Sequence, residues 1–564
     1  MPSTVSPQTV RPVASPAAAR PPQPPVAWFR TTFAWALAGS FLMYAALPPW
    51  DLWLLAWIAP VPWLMLARRV ELTGLRPYRA IWLAGFLFWL GVLHWLRLPH
   101  WATSFGWVAL SFYLAFYIPL FVALVRVAVH RLRVPLIVAA PVVWVGIELA
   151  KGHFLGGFTM GSLEHTQTHW LDIIQSADLI GGYGVSGIIM LVAVCIARML
   201  PCDGRRMAIW PIVPLAATMA AALVYGHFRL GETPTGPIAR VALIQGSIDT
   251  EIKTDPKQAE TVWKDYMGLT GNAVREAANL KPARPLDLIV WPETMFRNPL
   301  LSFDDDFRFP DGAPGEKIRS KADWIAETPH LLADIARRCD SALLIGVDRE
   351  HWHTYFAPGD HYNCAQFVAA DGRLLAAYDK MHPVMFGEYV PLAEYFPFLY
   401  RLTPLSGGLK VGDKPISQTI DGVRFCPSIC YETVIPHLIR RQVLSLTQQG
   451  VEPDVLVNVT NDGWFWGSSE LDLHLQCGVF RAVECRKPLL IAANTGLSAW
   501  IDGNGRVVRQ SPRRQDDIII ADVQADGRHS FYVAHGDWLA GTCFFICLGL
   551  TTFGLWDNRR RRAA

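Results

Sequence analysis

The sequence predicts a two-part protein: a multi-span α-helical membrane region, then an α/β domain, closed by one more apolar helix. Three observations predict it. The 564 residues are 52% apolar with 23 Trp and a positive mean hydropathy, a composition that soluble enzymes seldom carry. Long apolar runs crowd the first 226 residues and return only near the C-terminus. Between them, short β-rich runs alternate with amphipathic stretches, as in an α/β domain. The net charge of +3 arises from 51 basic and 48 acidic residues, so total charge argues for no nucleic-acid partner. Ten cysteines without regular spacing form neither a disulfide framework nor a paired C-x-x-C metal cluster.

In chain order, residues 1–27 are rich in Pro and Ala and lack a long apolar core, so they read as a flexible cytoplasmic tail rather than a cleavable signal peptide. Residues 28–226 read as the N-terminal membrane region. A hydrocarbon core about 30 Å thick needs roughly 20 apolar helical residues. Seven runs are candidates: 31–50, 52–67, 80–96, 104–125, 134–150, 179–196 and 207–225, of which 52–67 and 134–150 are short. Arg68, Arg69, Arg76 and Arg79 follow the second run, Arg126, Arg131 and Arg133 the fourth, and Arg198, Arg205 and Arg206 the sixth. Cytoplasmic loops collect Lys and Arg. This alternation therefore leaves the chain after residue 225 outside, and an eighth span, 538–556, returns Arg559, Arg560, Arg561 and Arg562 to the inside.

Residues 235–526 read as the α/β domain and 527–564 as the last helix and its basic tail. Candidate strands are 239–245, 286–291, 342–347, 364–368, 374–378, 423–429, 455–459 and 489–493, and candidate helices are 258–279, 322–338 and 472–486. Asp371-Gly372 and Asp502-Gly503 suit tight hairpin turns.

Three strand-like runs end beside residues able to perform acyl transfer: Trp291-Pro292-Glu293-Thr294, Tyr378-Asp379-Lys380-Met381-His382 and Ile429-Cys430-Tyr431-Glu432. A rigid sheet holds such residues with the precision catalysis requires. A lone Cys after a β-run is more often a packed core residue, and a lone Glu or Lys a surface charge. In this order the three resemble the Glu-Lys-Cys triad of the nitrilase, or carbon–nitrogen hydrolase, superfamily, and that resemblance implies an αββα sandwich.

Phe386-Gly387-Glu388-Tyr389-Val390-Pro391, Asn461-Asp462-Gly463-Trp464-Phe465 and Asn494-Thr495-Gly496-Leu497-Ser498 narrow the resemblance. With the apolar spans they look like the apolipoprotein N-acyltransferase family. The resemblance implies Cys430 as nucleophile, Glu293 as general base and Lys380, with the Tyr431 backbone N–H, as oxyanion stabiliser, supported by Glu388, Tyr431 and Glu432. It implies a phospholipid acyl donor, a diacylglyceryl apolipoprotein acceptor, and a bacterial inner membrane with the catalytic domain in the periplasm. No metal and no cofactor are expected.

Tyr395, Phe396 and Phe398 lie in an apolar stretch, 391–409, that reads either as core or as a lid admitting acyl chains at the bilayer. Trp464 and Phe465 are candidates for packing around the pocket. His382 reads as a hydrogen-bonded structural residue, and Cys339, Cys364, Cys426, Cys477 and Cys485 as structural thiols. Strand alternation places Cys426 on the same face as Cys430. The chain departs from the family pattern at Thr254, where a tryptophan is expected, at Ile491, where an arginine is expected, and at Pro383 and Met385. Two other readings share these features: a membrane-anchored amidase or nitrilase using water, and a transporter or receptor with a nitrilase-like outer domain. Seven spans before the domain favour a lipid-using enzyme, because one would anchor it.

Overall fold

The computed structural model describes residues 31–563 except 205, 233–235, 250–255, 310–319, 394, 397, 399 and 401–406. The tail 1–27 and Thr254 lie outside the described residues.

Each expected apolar run is helical. Helix α1 is Thr32–Ala46, capped by Thr31 Oγ1, which accepts from Ala34 N at 3.2 Å. The run 52–67 breaks into a 3-10 turn, Trp53–Trp57, and α2, Val61–Arg68. Its prolines set the break: Pro60 cannot donate within a continuing helix, whereas Pro62 is tolerated in the first turn of α2. There follow α3 (Pro77–Val92), α4 (Thr103–Leu114), α5 (Tyr117–His130), α6 (Leu136–His153), α7 (Ala177–Met199), α8 (Ile212–Gly231) and, at the far end of the chain, α13 (Trp538–Ala563). Among the described residues, five segments are long and apolar enough to cross a membrane: Thr103–His130, Leu136–Gly156, Ala177–Met199, Ile212–Gly231 and Trp538–Ala563. Thr32–Ala46, Trp53–Arg68 and Pro77–Val92 are apolar but shorter. The run 134–150, short in the sequence reading, is thus one of the long helices, because helix continues through Lys151, Gly152 and His153.

The α/β region holds two six-stranded sheets. One has the order β12-β1-β2-β3-β4-β5 and the other β11-β10-β9-β8-β7-β6. The first contains β1 (Pro237–Gln245), β2 (Leu288–Phe303), β3 (Ala342–Trp352), β4 (Asp360–Val368), β5 (Leu374–Asp379) and β12 (Asp517–Gln524). The second contains β6 (Gln418–Ile420), β7 (Val423–Ile429), β8 (Val455–Thr460), β9 (Leu489–Ala493), β10 (Ala499–Ile501) and β11 (Val507–Gln510). In each sheet the central strands are parallel, β1-β2-β3 and β7-β8-β9.

Strand alternation builds the layers. Ala239, Val241 and Leu243 of β1 meet Phe425, Val455 and Val457 of the other sheet, while Ala242 and Ile244 point outward. That outer face is covered by α9 (Ala259–Asn279) and α10 (Lys321–Cys339). The second sheet's outer face is covered by α11 (Pro436–Gln448) and α12 (Glu470–Cys485), whose buried residues share one continuous core with α1 to α7. The order of layers is therefore helix, sheet, sheet, helix, membrane helices. This is an αββα sandwich with one helical layer pressed onto the membrane region.

Candidate active site

All three chemical groups sit at the carboxyl ends of strands or at a bulge, where the backbone leaves its ladder. Glu293 lies where the β2–β3 register slips between Trp291 and Phe296. Gly346 on β3 permits this approach, since a Cβ there would lie 2.2 Å from Pro292 O. Lys380 is the first residue after β5, and its N–H donates to Asn363 O at 2.9 Å. Cys430 is the first residue after β7 and opens a 3-10 turn, Cys430–Val434, with φ of 51°. A left-handed non-glycine residue stores strain. Here Asn458 Nδ2 and Thr433 Oγ1 each donate to Cys430 O at 3.2 Å, and His474 Nε2 lies 3.2 Å from the same oxygen.

The turn also moves Cys430 off the face that alternation gives it. Cys426 packs with the helices on the outer side of the second sheet, whereas Cys430 packs against the core between the sheets. The two cysteines, expected on one face, are on opposite ones, and all ten cysteines are free thiols.

The polar centre is buried. Lys380 Nζ lies 3.3 Å from Glu293 Oε1 and 2.6 Å from Glu388 Oε1. Glu293 is further held by Asn363 Nδ2 donating to Oε1 at 2.6 Å and Asn461 N donating to Oε2 at 3.0 Å. Glu388 closes its own loop by accepting Val384 N at 2.7 Å. Burial opposes the charge on Lys380, but Glu293, Glu388 and Cys430 more than offset it and raise its pKa well above the ordinary value. Burial, then the Glu293 carboxylate, pushes the Cys430 thiol well up against the opposing pull of Lys380. Burial therefore favours the protonated form of the Cys430 thiol, beside a lysine held in its charged form.

Glu432 ties the lysine segment to the cysteine turn. Its Oε1 accepts Met381 N at 2.7 Å and His382 N at 3.0 Å, its Oε2 accepts Ile429 N at 2.7 Å, and Tyr378 OH donates to both oxygens. Burial still pushes it up to about 7. Tyr431 turns the other way: its hydroxyl donates to Gly157 O at 2.9 Å, on the loop that follows α6. His382 Nε2 lies 2.9 Å from Gly156 O, and its ring stacks on Tyr431. Burial lowers its pKa.

Two family models match the chain: the apolipoprotein N-acyltransferase N-terminal domain over residues 39–195, and carbon-nitrogen hydrolase over residues 240–531. An apolipoprotein N-acyltransferase of Rhodopirellula baltica is 30% identical, over 93% of this chain and 98% of its own. One of Geobacter metallireducens is 31% identical over 91% and 93%. The chain belongs to the apolipoprotein N-acyltransferase family. Among solved structures, an amidase from Nesterenkonia sp. is 16% identical over 54% of this chain and 95% of its own, with a TM-score of 0.34.

Within this member of the apolipoprotein N-acyltransferase family, the remaining candidates divide. Tyr395, Phe396 and Phe398 are exposed. Trp464 is half-exposed, while Phe465 packs edge-on against Trp95 of the membrane region at 4.9 Å. Ile491 is buried in β9, its Cδ1 beside Gly478 of α12, so an apolar residue fills that layer. Met385 reaches toward Gly156. Sequence reasoning passed over Asn363, which has no signal inside β4, and His474. Asn461 stood within a quoted motif but without its role as a partner of Glu293.

Proposed function

We propose that this acyltransferase moves an acyl chain from a membrane phospholipid, through a thioester on Cys430, to the α-amine of the diacylglyceryl cysteine of an apolipoprotein. The buried Glu293–Lys380–Glu388 cluster facing the Cys430 turn carries this reading. As Cys430 sulfur attacks the donor ester, its proton passes to Glu293 and the carbonyl becomes an oxyanion. Lys380 and the Tyr431 backbone N–H, at the head of the 3-10 turn, are its stabilisers. Collapse forms the thioester and expels the lysophospholipid alkoxide, which takes the proton from Glu293. The acceptor amine then attacks the thioester and gives a proton to Glu293. The leaving thiolate recovers that proton, and an amide remains. Each half-reaction closes without a metal or soluble cofactor.

We assign residues 1–27 to a cytoplasmic tail, 28–226 to the membrane domain, 235–526 to the catalytic domain and 527–564 to the last span and its tail. The arginine alternation supports the inner membrane with the catalytic domain in the periplasm. The test is incubation with acyl-labelled phospholipid, followed by intact mass measurement and peptide mapping. The expected result is an acyl adduct on Cys430 that a lipopeptide amine discharges and that C430A lacks. Discharge only to water would leave a membrane-anchored amidase, and an adduct elsewhere would overturn the mechanism.

A further inference from the structure

Beyond the acyl-transfer centre, the far ends of β2, β3 and β4 gather a second set of chemically active side chains. Ser302 pairs with His351 and Phe303 with Trp352 across β2–β3, and His351 pairs with Asp360 across β3–β4. Asp304, just past β2, is held by its N–H donating to Trp352 O at 3.0 Å. On this frame, His351 Nε2 lies 2.9 Å from Asp304 Oδ1 and His353 Nδ1 lies 3.0 Å from Asp304 Oδ2. One atom from each of the three falls within 4.8 Å of the others.

Each histidine's other ring nitrogen is also occupied. His351 Nδ1 lies 2.9 Å from Ser302 Oγ, and His353 Nε2 lies 3.3 Å from Asp360 Oδ2. Asp360 is in turn paired with Lys410 through its other oxygen at 3.3 Å. Metal-ligating histidines characteristically use the second nitrogen this way, which fixes the tautomer and aims the free lone pair at the ion. Donors about 2.0–2.1 Å from a tetrahedral zinc stand about 3.3 Å apart, near the two histidine–carboxylate separations of 2.9 and 3.0 Å. The side chains are partly exposed, so an ion can enter.

We propose that Asp304, His351 and His353 form a divalent transition-metal site, best suited to Zn2+, with Ser302 and Asp360 as outer partners. Two imidazoles and one carboxylate match zinc's ligand preference, and three protein donors leave a fourth position for water. The ion would displace the protons now lying between histidines and carboxylate. It would thereby cross-link the ends of β2 and β3, which carry Glu293 and its β3 neighbour Gly346 further along the same ladder. Its role is to brace that ladder, not to enter the thioester chemistry, so the inference stands apart from the acyl-transfer reading.

The test uses the full-length protein in detergent, purified without a histidine tag and stripped with EDTA. Titration with Co2+ should give the visible bands of a four-coordinate ion at one equivalent, and Zn2+ should displace it and raise the thermal midpoint. H351A and H353A should abolish the bands. S302A, which leaves all three ligands in place, should weaken binding about 10–100-fold. Absence of stoichiometric binding would overturn the proposal, as would binding that survives in the H351A/H353A double variant.

Discussion

Cys430 is subject to two influences that act in opposite directions on its chemistry. In the proposed mechanism Glu293 is the base that the attacking thiol needs, yet its charge is the largest effect after burial in keeping that thiol protonated. The two roles separate in one variant. E293Q removes the base, so acyl transfer should fall about 10²–10⁴-fold. It also removes a repelling carboxylate, so iodoacetamide alkylation of Cys430 at a fixed pH should become faster. In the wild type the alkylation rate should keep rising with pH through and beyond the ordinary thiol range, because the raised pKa leaves little thiolate below it. A plateau near neutrality, or slower alkylation in E293Q, would show a preformed thiolate and a different base.

At the scale of elements, the three candidate site residues stood out because each follows a strongly patterned run, and runs ending near 291, 378 and 429 read as strands from composition alone. The strands at 499–501 and 507–510 were signalled only by the hairpin turn expected at Asp502-Gly503, which does join them, and 418–420 is too short for alternation to register; 517–524 was missed and pairs with β1 from the opposite end of the domain. The helix Pro436–Gln448 had a signal, Ile439, Val443 and Leu446 at helical spacing, masked by the arginines and glutamines between them. Least legible was what joins the two halves. Asp178 at the start of α7 accepts from Arg486 Nε at 2.8 Å, Arg229 Nε at 2.8 Å and Tyr225 OH at 2.7 Å. Nothing local in the sequence links these positions, which are far apart along the chain. D178N would leave Arg486 without its counter-charge, while Arg229 keeps Glu232 at 2.8 Å, and breaking such a buried pair costs about 3–5 kcal/mol. The expected outcome is a lower thermal midpoint in detergent and faster proteolysis between α12 and α7. An unchanged midpoint would mean the remaining polar contacts and apolar packing hold the halves together without this ion pair.

For the molecule as a whole, the contact between membrane region and sandwich is also the contact that reaches the active site. The loop after α6 offers Gly156 O to His382 and Gly157 O to Tyr431, and Thr159 Oγ1 donates to Val434 O at 2.5 Å. Gly157 has φ of 79°, and a Cβ there would lie 2.4 Å from Gly152 O, so only glycine lets the loop pass this closely. Phe154 and Leu155 on that loop are exposed, as are Phe386, Leu392, Tyr395, Phe396 and Phe398 on the segment after Lys380. Exposed aromatic groups of this kind are stable where lipid covers them. We expect this surface to meet the bilayer and admit the donor's acyl chains, which yields a prediction separable from the chemistry. F396S/F398S should raise KM for phospholipid in mixed micelles while leaving the iodoacetamide reactivity of Cys430 unchanged, because neither ring makes a polar contact with the triad. A fall in kcat at saturating lipid with unchanged KM would instead place these rings in the pocket wall, and no change in either constant would remove the segment from substrate entry.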